Sequence, residues 1–217
     1  MQAPKREEID HRTIKLIVGI IALSLATLTS IFSNTAITSI SASYYEGGWS
    51  QTIFIGFQFA IAAFLMAYNG LSKAEMVLSK IASLAALGVA LFPCECGGHS
   101  VIAPHVHGIS AAVMFIILAF FCREFYKRAR AKGYKEAIRR ARIYVICGVL
   151  IVASILALAF DHFTNGSLTK IFPRFVFYGE ATGLIAFGIS WLTASRTFPV
   201  ITSKKERFHL LGDNNED

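Results

Sequence analysis

Six uninterrupted apolar runs dominate this sequence. They cover residues 14–34, 51–70, 76–93, 105–122, 143–160 and 174–195, and none carries more than two charged residues. A helix needs about 20 apolar residues to cross roughly 30 Å of hydrocarbon, so each run is long enough for one crossing. Together they take more than half of the 217 residues, which leaves no room for a water-soluble domain of ordinary size. Only 16% of the residues are charged, against about 25% in soluble domains. Mean hydropathy is +0.54. The sequence predicts an all-α polytopic membrane protein with six transmembrane helices in an antiparallel bundle. Its expected divisions are an N-terminal segment over 1–13, a membrane domain over 14–195 and a tail over 196–217.

The first run is preceded by basic residues, as a secretory signal would be. Its stretch from Leu16 to Phe32 exceeds a signal core of about 7–15 residues and ends at no small-x-small cleavage site. It reads as a retained anchor. Orientation follows from Lys and Arg. Nineteen of the 21 lie in the N-terminal segment, the second and fourth connections and the tail, and only Lys170 and Arg174 lie in the others. Positive residues stay inside, so both termini are expected in the cytoplasm, at a plasma membrane or a bacterial inner membrane. The net charge of +7 then reflects topology and attraction of anionic lipid to a basic inner face. A nucleic-acid binder would interleave aromatic and basic residues on a soluble face, a pattern this chain lacks.

Short connections predict sequential antiparallel neighbours. The longest basic connection, residues 123–142, reads as two helices running past the membrane with a turn at Gly133. Ala82, Ala86 and Ala90, and the Gly179–Gly183 pair, mark seams where helices approach closely.

Polar chemistry concentrates on the expected outer side. The third connection presents Cys94, Cys96, His99, His105 and His107 within fourteen residues, and Asp161–His162 opens the fifth. Thiolate and imidazole suit zinc or copper. Histidines with an open coordination position suit catalytic zinc. The spacing is tighter than in standard structural zinc sites, and His105 and His107 cannot share a face in one regular helix. A polar loop with oxidised thiols is the plainer alternative. Cys122 and Cys147 lie near the inner ends of their spans, a bilayer away from Cys94 and Cys96, so no disulfide joins the two pairs. Glu180 lies six residues past Arg174, about 9 Å into the last span. An ionisable group there is costly unless it is paired or faces a cavity, so it reads as a functional or a packing residue. Asp161, His162 and Glu180 are expected around one outer mouth. No G-x-S-x-G elbow and no phosphate-binding glycine loop is present, and Ser110 after His107 is too weak a pairing to imply acyl-enzyme chemistry.

Ser39-Ile40-Ser41-Ala42-Ser43-Tyr44-Tyr45 leads through Trp49-Ser50-Gln51 into Thr52-Ile53-Phe54-Ile55-Gly56-Phe57. Later come residues 86–93, ALGVALFP, and Glu180 followed by Ala186-Phe187-Gly188-Ile189-Ser190-Trp191. This order resembles a six-span group that includes DRAM-like, Sfk-like and FGF-receptor-activating proteins and uncharacterised bacterial relatives. The resemblance implies six helices with both termini inside, and its eukaryotic members are associated with lipid remodelling and membrane trafficking. The Cys/His-rich loop departs from that pattern. A second resemblance is to the CREST membrane metallohydrolases, whose Ser, Asp and three His types Ser41, Asp161, His105, His107 and His162 could supply. That group has seven spans and an HxxxH pair, both missing here.

The leading functional expectation is a protein that binds or organises lipid or a membrane partner, a homo-oligomer among them, with a polar outer site. The alternative is a zinc-dependent lipid hydrolase, with metal held among His105, His107 and His162 and with Asp161 or Glu180 as general base. Transport is disfavoured, because intramembrane charges are few and no pair of broken helices is evident.

Overall fold

The computed structural model describes residues 11–203 and 206. Lys5, Arg6, Lys204, Lys205 and Arg207, which contribute to the orientation argument, lie outside the described residues. In chain order the helices are α1 (His11–Ile31), α2 (Ser43–Glu46), α3 (Gly48–Ala67), α4 (Lys73–Leu91), α5 (Val106–Lys132), α6 (Lys135–Phe163), α7 (Ser167–Ile171) and α8 (Phe175–Ser195), followed by a 3₁₀ turn over Pro199–Ile201. The six long ones are each long and apolar enough to cross a membrane. The described residues contain no strand. This is an all-α, multi-pass membrane protein.

Local chemistry sets the helix ends. Ser72 caps α4, accepting the Glu75 N–H at 3.2 Å while the Glu75 carboxylate reaches back to the Leu71 N–H at 3.4 Å. This reciprocal arrangement satisfies two donors that a helix start leaves open. Gly133 sits between α5 and α6 at φ +74°, a left-handed conformation that glycine adopts without a Cβ clash. The two helices therefore turn at the expected residue.

Consecutive long helices pack side by side, and α8 returns against α1, closing the bundle into the ring α1–α3–α4–α5–α6–α8. The closing contact is made by glycines. A Cβ on Gly188 would lie 2.9 Å from the Gly19 carbonyl oxygen, and one on Gly19 would lie 3.0 Å from that of Gly188. Ala82, Ala86 and Ala90 are buried in the α4 seam. Gly179 faces Leu158 of α6, and Gly183 faces Phe115 of α5. Lipid supplies no hydrophobic drive between helices, so close approach and polar contacts hold them. The Ser83 hydroxyl accordingly donates across to the Ala62 carbonyl at 2.7 Å, and Ser50 to that of Thr29 at 2.9 Å. Toward the basic end of α8, Trp191 is fully buried among Tyr68, Phe121, Phe125 and Phe187, with ring centres 5.2 to 6.3 Å away.

Contacts sort the connections onto two rims. His11 of α1 meets Tyr68, Arg128 of α5 pairs with the buried Glu75 of α4, and Lys132 meets Glu206 of the tail. The start of α1, the α3–α4 and α5–α6 connections and the tail thus share one basic rim. At the opposite, loop rim, the Tyr45 hydroxyl donates to the Cys94 carbonyl at 2.7 Å and the Phe177 N–H to that of Thr38 at 3.0 Å. An even number of crossings follows.

Candidate functional site

The loop between α1 and α2 turns sharply at the loop rim, with Ser39 Oγ accepting the Ala42 N–H at 3.0 Å. This leaves the Ile40 and Ser41 N–H groups pointing away from any helix and in need of an acceptor. Glu180, a little over one turn into α8, supplies it. Its Oε2 accepts from Ile40 N at 2.5 Å and Ser41 N at 3.3 Å, and its Oε1 lies 2.8 Å from Ser41 Oγ. Ser41 Oγ in turn lies 2.9 Å from Nε2 of His107, in the first turn of α5. His107 Nδ1 lies 2.8 Å from the Phe92 carbonyl oxygen at the end of α4, and Phe54 of α3 stacks along the ring at 6.5 Å. Glu180, Ser41 and His107 thus tie together α8, the first loop and α5, while the Phe92 carbonyl adds α4.

The donor and acceptor inventory limits where the protons are. A carbonyl only accepts, so His107 Nδ1 carries a hydrogen. Nε2 then either accepts from Ser41 or, in the imidazolium, donates to it. The single Ser41 hydroxyl hydrogen goes to His107 or to Glu180. Two arrangements satisfy every contact: a protonated Glu180 with neutral His107, or an ionised Glu180 with protonated His107. The two differ in the position of one proton, with Ser41 bridging its two sites. Both arrangements have the same total charge, which suits a site at the edge of hydrocarbon, where net charge is expensive.

The first loop is braced from its other end. The Thr35 hydroxyl, followed by Ser33 and the Asn34 and Thr35 N–H groups, holds the Glu46 carboxyl below the usual carboxylate range, against a smaller opposing effect of burial. Thr35 Oγ1 is 2.7 Å from Glu46 Oε1.

The other expected ligands are placed apart. Cys94 and Cys96 form a disulfide, with Cα atoms 5.2 Å apart, inside the range a disulfide accepts. Paired in this way, neither sulfur is a thiolate open to a metal. His99 stacks on Tyr45 at 3.9 Å. His105 caps α5 from a left-handed conformation and turns to Glu95, 3.1 Å from its Nδ1. His162 packs edge-on to Phe163. Asp161 accepts from Leu168 N at 2.7 Å, Thr169 N at 3.0 Å and Thr169 Oγ1 at 2.5 Å, which fixes α7. Asp161 satisfies open N–H groups beside it in the chain, and Glu180 satisfies those of the first loop. Among the described residues, no group of three or more His, Cys, Asp or Glu is placed to hold a metal ion.

Sequence reasoning named Glu180 and His107 but not their connection through Ser41. One clue was available. A carboxylate at the depth of Glu180 needs donors, and the SIS loop entering the same rim is rich in them.

Compared with known proteins, the chain matches no family, no curated protein and no solved structure.

Proposed function

We propose that this protein binds membrane lipid along α6, with both termini in the cytoplasm and the Glu180–Ser41–His107 site at the outer rim. The observation carrying this reading is that α6, the least covered of the six long helices, runs between two apolar clefts. The cleft against α5 has a volume of about 680 Å³, is lined by Phe120, Val145, Val149 and Leu156, and has Arg123 at its basic end. The cleft against α8 is about 360 Å³ and lined by Ile146, Leu150 and Ile185. An apolar trough ending in a guanidinium complements an acyl chain ending in an anionic headgroup. Positive residues at one rim and a disulfide at the other support the orientation, since disulfides persist outside the reducing cytosol. The resemblance to a six-span group associated with lipid remodelling points the same way.

The test is native mass spectrometry of protein released from membranes of mixed phosphatidylcholine and phosphatidylglycerol. Retained phosphatidylglycerol should exceed its bulk share, and Ala153→Trp, which fills the α5–α6 cleft, should cut retention several-fold with little change in Tm. Retention at the bulk ratio in both proteins would overturn the reading.

The Ser41–His107 contact favours a second reading, acyl transfer from a lipid ester. Ser41 Oγ attacks the ester carbonyl carbon as its proton passes to His107 Nε2. The C–O bond to the alcohol breaks, and the alcohol leaves with that proton. The acyl group stays on Ser41 Oγ until water, giving its proton to His107, releases it as the fatty acid and the proton returns to Ser41. The Ile40 and Ser41 N–H groups receive the oxyanion once Glu180 yields them. Covalent labelling of Ser41 by a fluorophosphonate in lipid nanodiscs, lost in Ser41→Ala, is the expected result. An unlabelled wild-type protein would remove this reading and leave the first intact.

A further inference from the structure

At the basic rim, side chains from the α5–α6 hairpin and from the end of α8 converge on one carboxylate. Lys132 at the end of α5 and Tyr134 at the start of α6 both hydrogen-bond Glu206 of the tail. Arg140 of α6 donates to Glu206 Oε2 at 3.0 Å, and Arg196, which closes α8 in a left-handed conformation, lies 3.3 Å from Oε1. Arg140 is only 2% exposed. Its guanidinium is held in place by the Ile201 carbonyl at 2.6 Å and the Tyr134 hydroxyl at 2.9 Å.

Among the described residues three cations face a single carboxylate here, so the cluster keeps two positive charges that Glu206 does not balance. Burying a cation without its counter-charge is costly, which makes a dianion a better occupant than a monoanion. The donors suit a tetrahedral oxyanion: two planar guanidinium forks, a mobile ammonium and a phenol hydroxyl approach from different elements. Arg140 stands three residues before Ile143, where the apolar stretch of α6 begins, hence about 4.5 Å beyond it and level with lipid headgroups.

We propose that Lys132, Tyr134, Arg140 and Arg196 form a binding site for a phosphate monoester, and that Glu206 is a built-in stand-in which the phosphate displaces. The site is separate from the α5–α6 cleft and stands whether or not that cleft holds lipid. The dianionic group comes either from a lipid headgroup such as phosphatidate or from a soluble phosphate monoester.

The test uses the full chain in phosphatidylcholine nanodiscs in three arms: with phosphatidate, with the monoanionic phosphatidylglycerol, and with soluble glycerol 3-phosphate. Phosphatidate or glycerol 3-phosphate should bind more tightly than phosphatidylglycerol, and whichever binds identifies the source. Glu206→Gln should tighten that binding about tenfold by removing the competing charge, and Lys132→Ala and Arg196→Ala should each weaken it several-fold. Equal binding of phosphatidylglycerol, or an affinity that Glu206→Gln leaves unchanged, would overturn the proposal. The two alanine variants lie on separate elements, so a folding defect in one leaves the other as the test.

Discussion

At the scale of single residues, His107 illustrates how one side chain can be over-determined. Both ring nitrogens are engaged, one by the Phe92 carbonyl and one by the Ser41 hydroxyl, and Phe54 stacks along its face. Removing the middle of this chain should be felt at both ends. Ser41→Ala leaves His107 Nε2 and one Glu180 oxygen without that partner, and a partly buried polar group so stranded costs about 1–3 kcal/mol. Thermal unfolding in detergent should show a lower Tm for Ser41→Ala, while Ser110→Ala, outside the chain of contacts, should stay near wild type. At the other rim, burial opposes ionisation of Glu206, but hydrogen bonds from Lys132 and Tyr134 and the charges of Arg196 and Lys132 prevail and hold its carboxyl down to about 2. An unfolded glutamate titrates near ~4.3. A carboxyl lowered on folding stabilises the fold above that unfolded value and loses its contribution as pH falls through the folded one. Hydrogen-exchange protection of the amides around Tyr134 and Ile201, corrected for the intrinsic exchange rate, should therefore fall between about pH 4 and pH 2 and stay flat from pH 5 to 7, and Glu206→Gln should abolish the acid step.

Among the elements, the α5–α6 hairpin was the most legible. Its basic stretch could not enter hydrocarbon and held one glycine suited to a reversal, so both helix extensions and the turn at Gly133 could be read directly. The short helices α2 and α7 left no comparable trace, because four or five residues carry no apolar period. The α1–α8 contact was hidden for another reason. Gly19 and Gly188 are separate glycines in different spans, and only their meeting gives them a role. A methyl group on Gly188 would lie 2.7 Å from Leu23 and 2.9 Å from the Gly19 carbonyl. Backbone cannot step aside as a flexible side-chain end can. Gly188→Ala should thus destabilise the protein by about 1–3 kcal/mol, as overpacking commonly does. Gly56→Ala, where a Cβ meets nothing within 4 Å, should be tolerated. Guanidinium- or SDS-induced unfolding of the two variants makes the comparison.

For the molecule as a whole, ring closure places two connections with the start of α1 and the tail at the basic rim, and three connections at the opposite rim. The basic residues gather with the start of α1 and the tail, and the disulfide and the Ser41 network gather opposite. A membrane-impermeant maleimide applied to intact cells after mild reduction should label Cys94 and Cys96 and leave the buried Cys122 and Cys147 unlabelled. To separate orientation from burial, a cysteine placed at the exposed Lys135 should also stay unlabelled until the cells are opened. Labelling of the Lys135→Cys protein in intact cells would reverse the proposed orientation.

The number of crossings, their approximate limits and the reversal at Gly133 were present in the sequence, because hydrocarbon acts on each segment separately and run length is a local property. Which groups meet was decided only in three dimensions. The partners of Glu180 lie about 140 positions away, and those of His107 lie in a loop and at the end of another helix. Their convergence depends on how each helix is rotated about its axis. That rotation is set by packing around the closed ring, which no single stretch of sequence encodes.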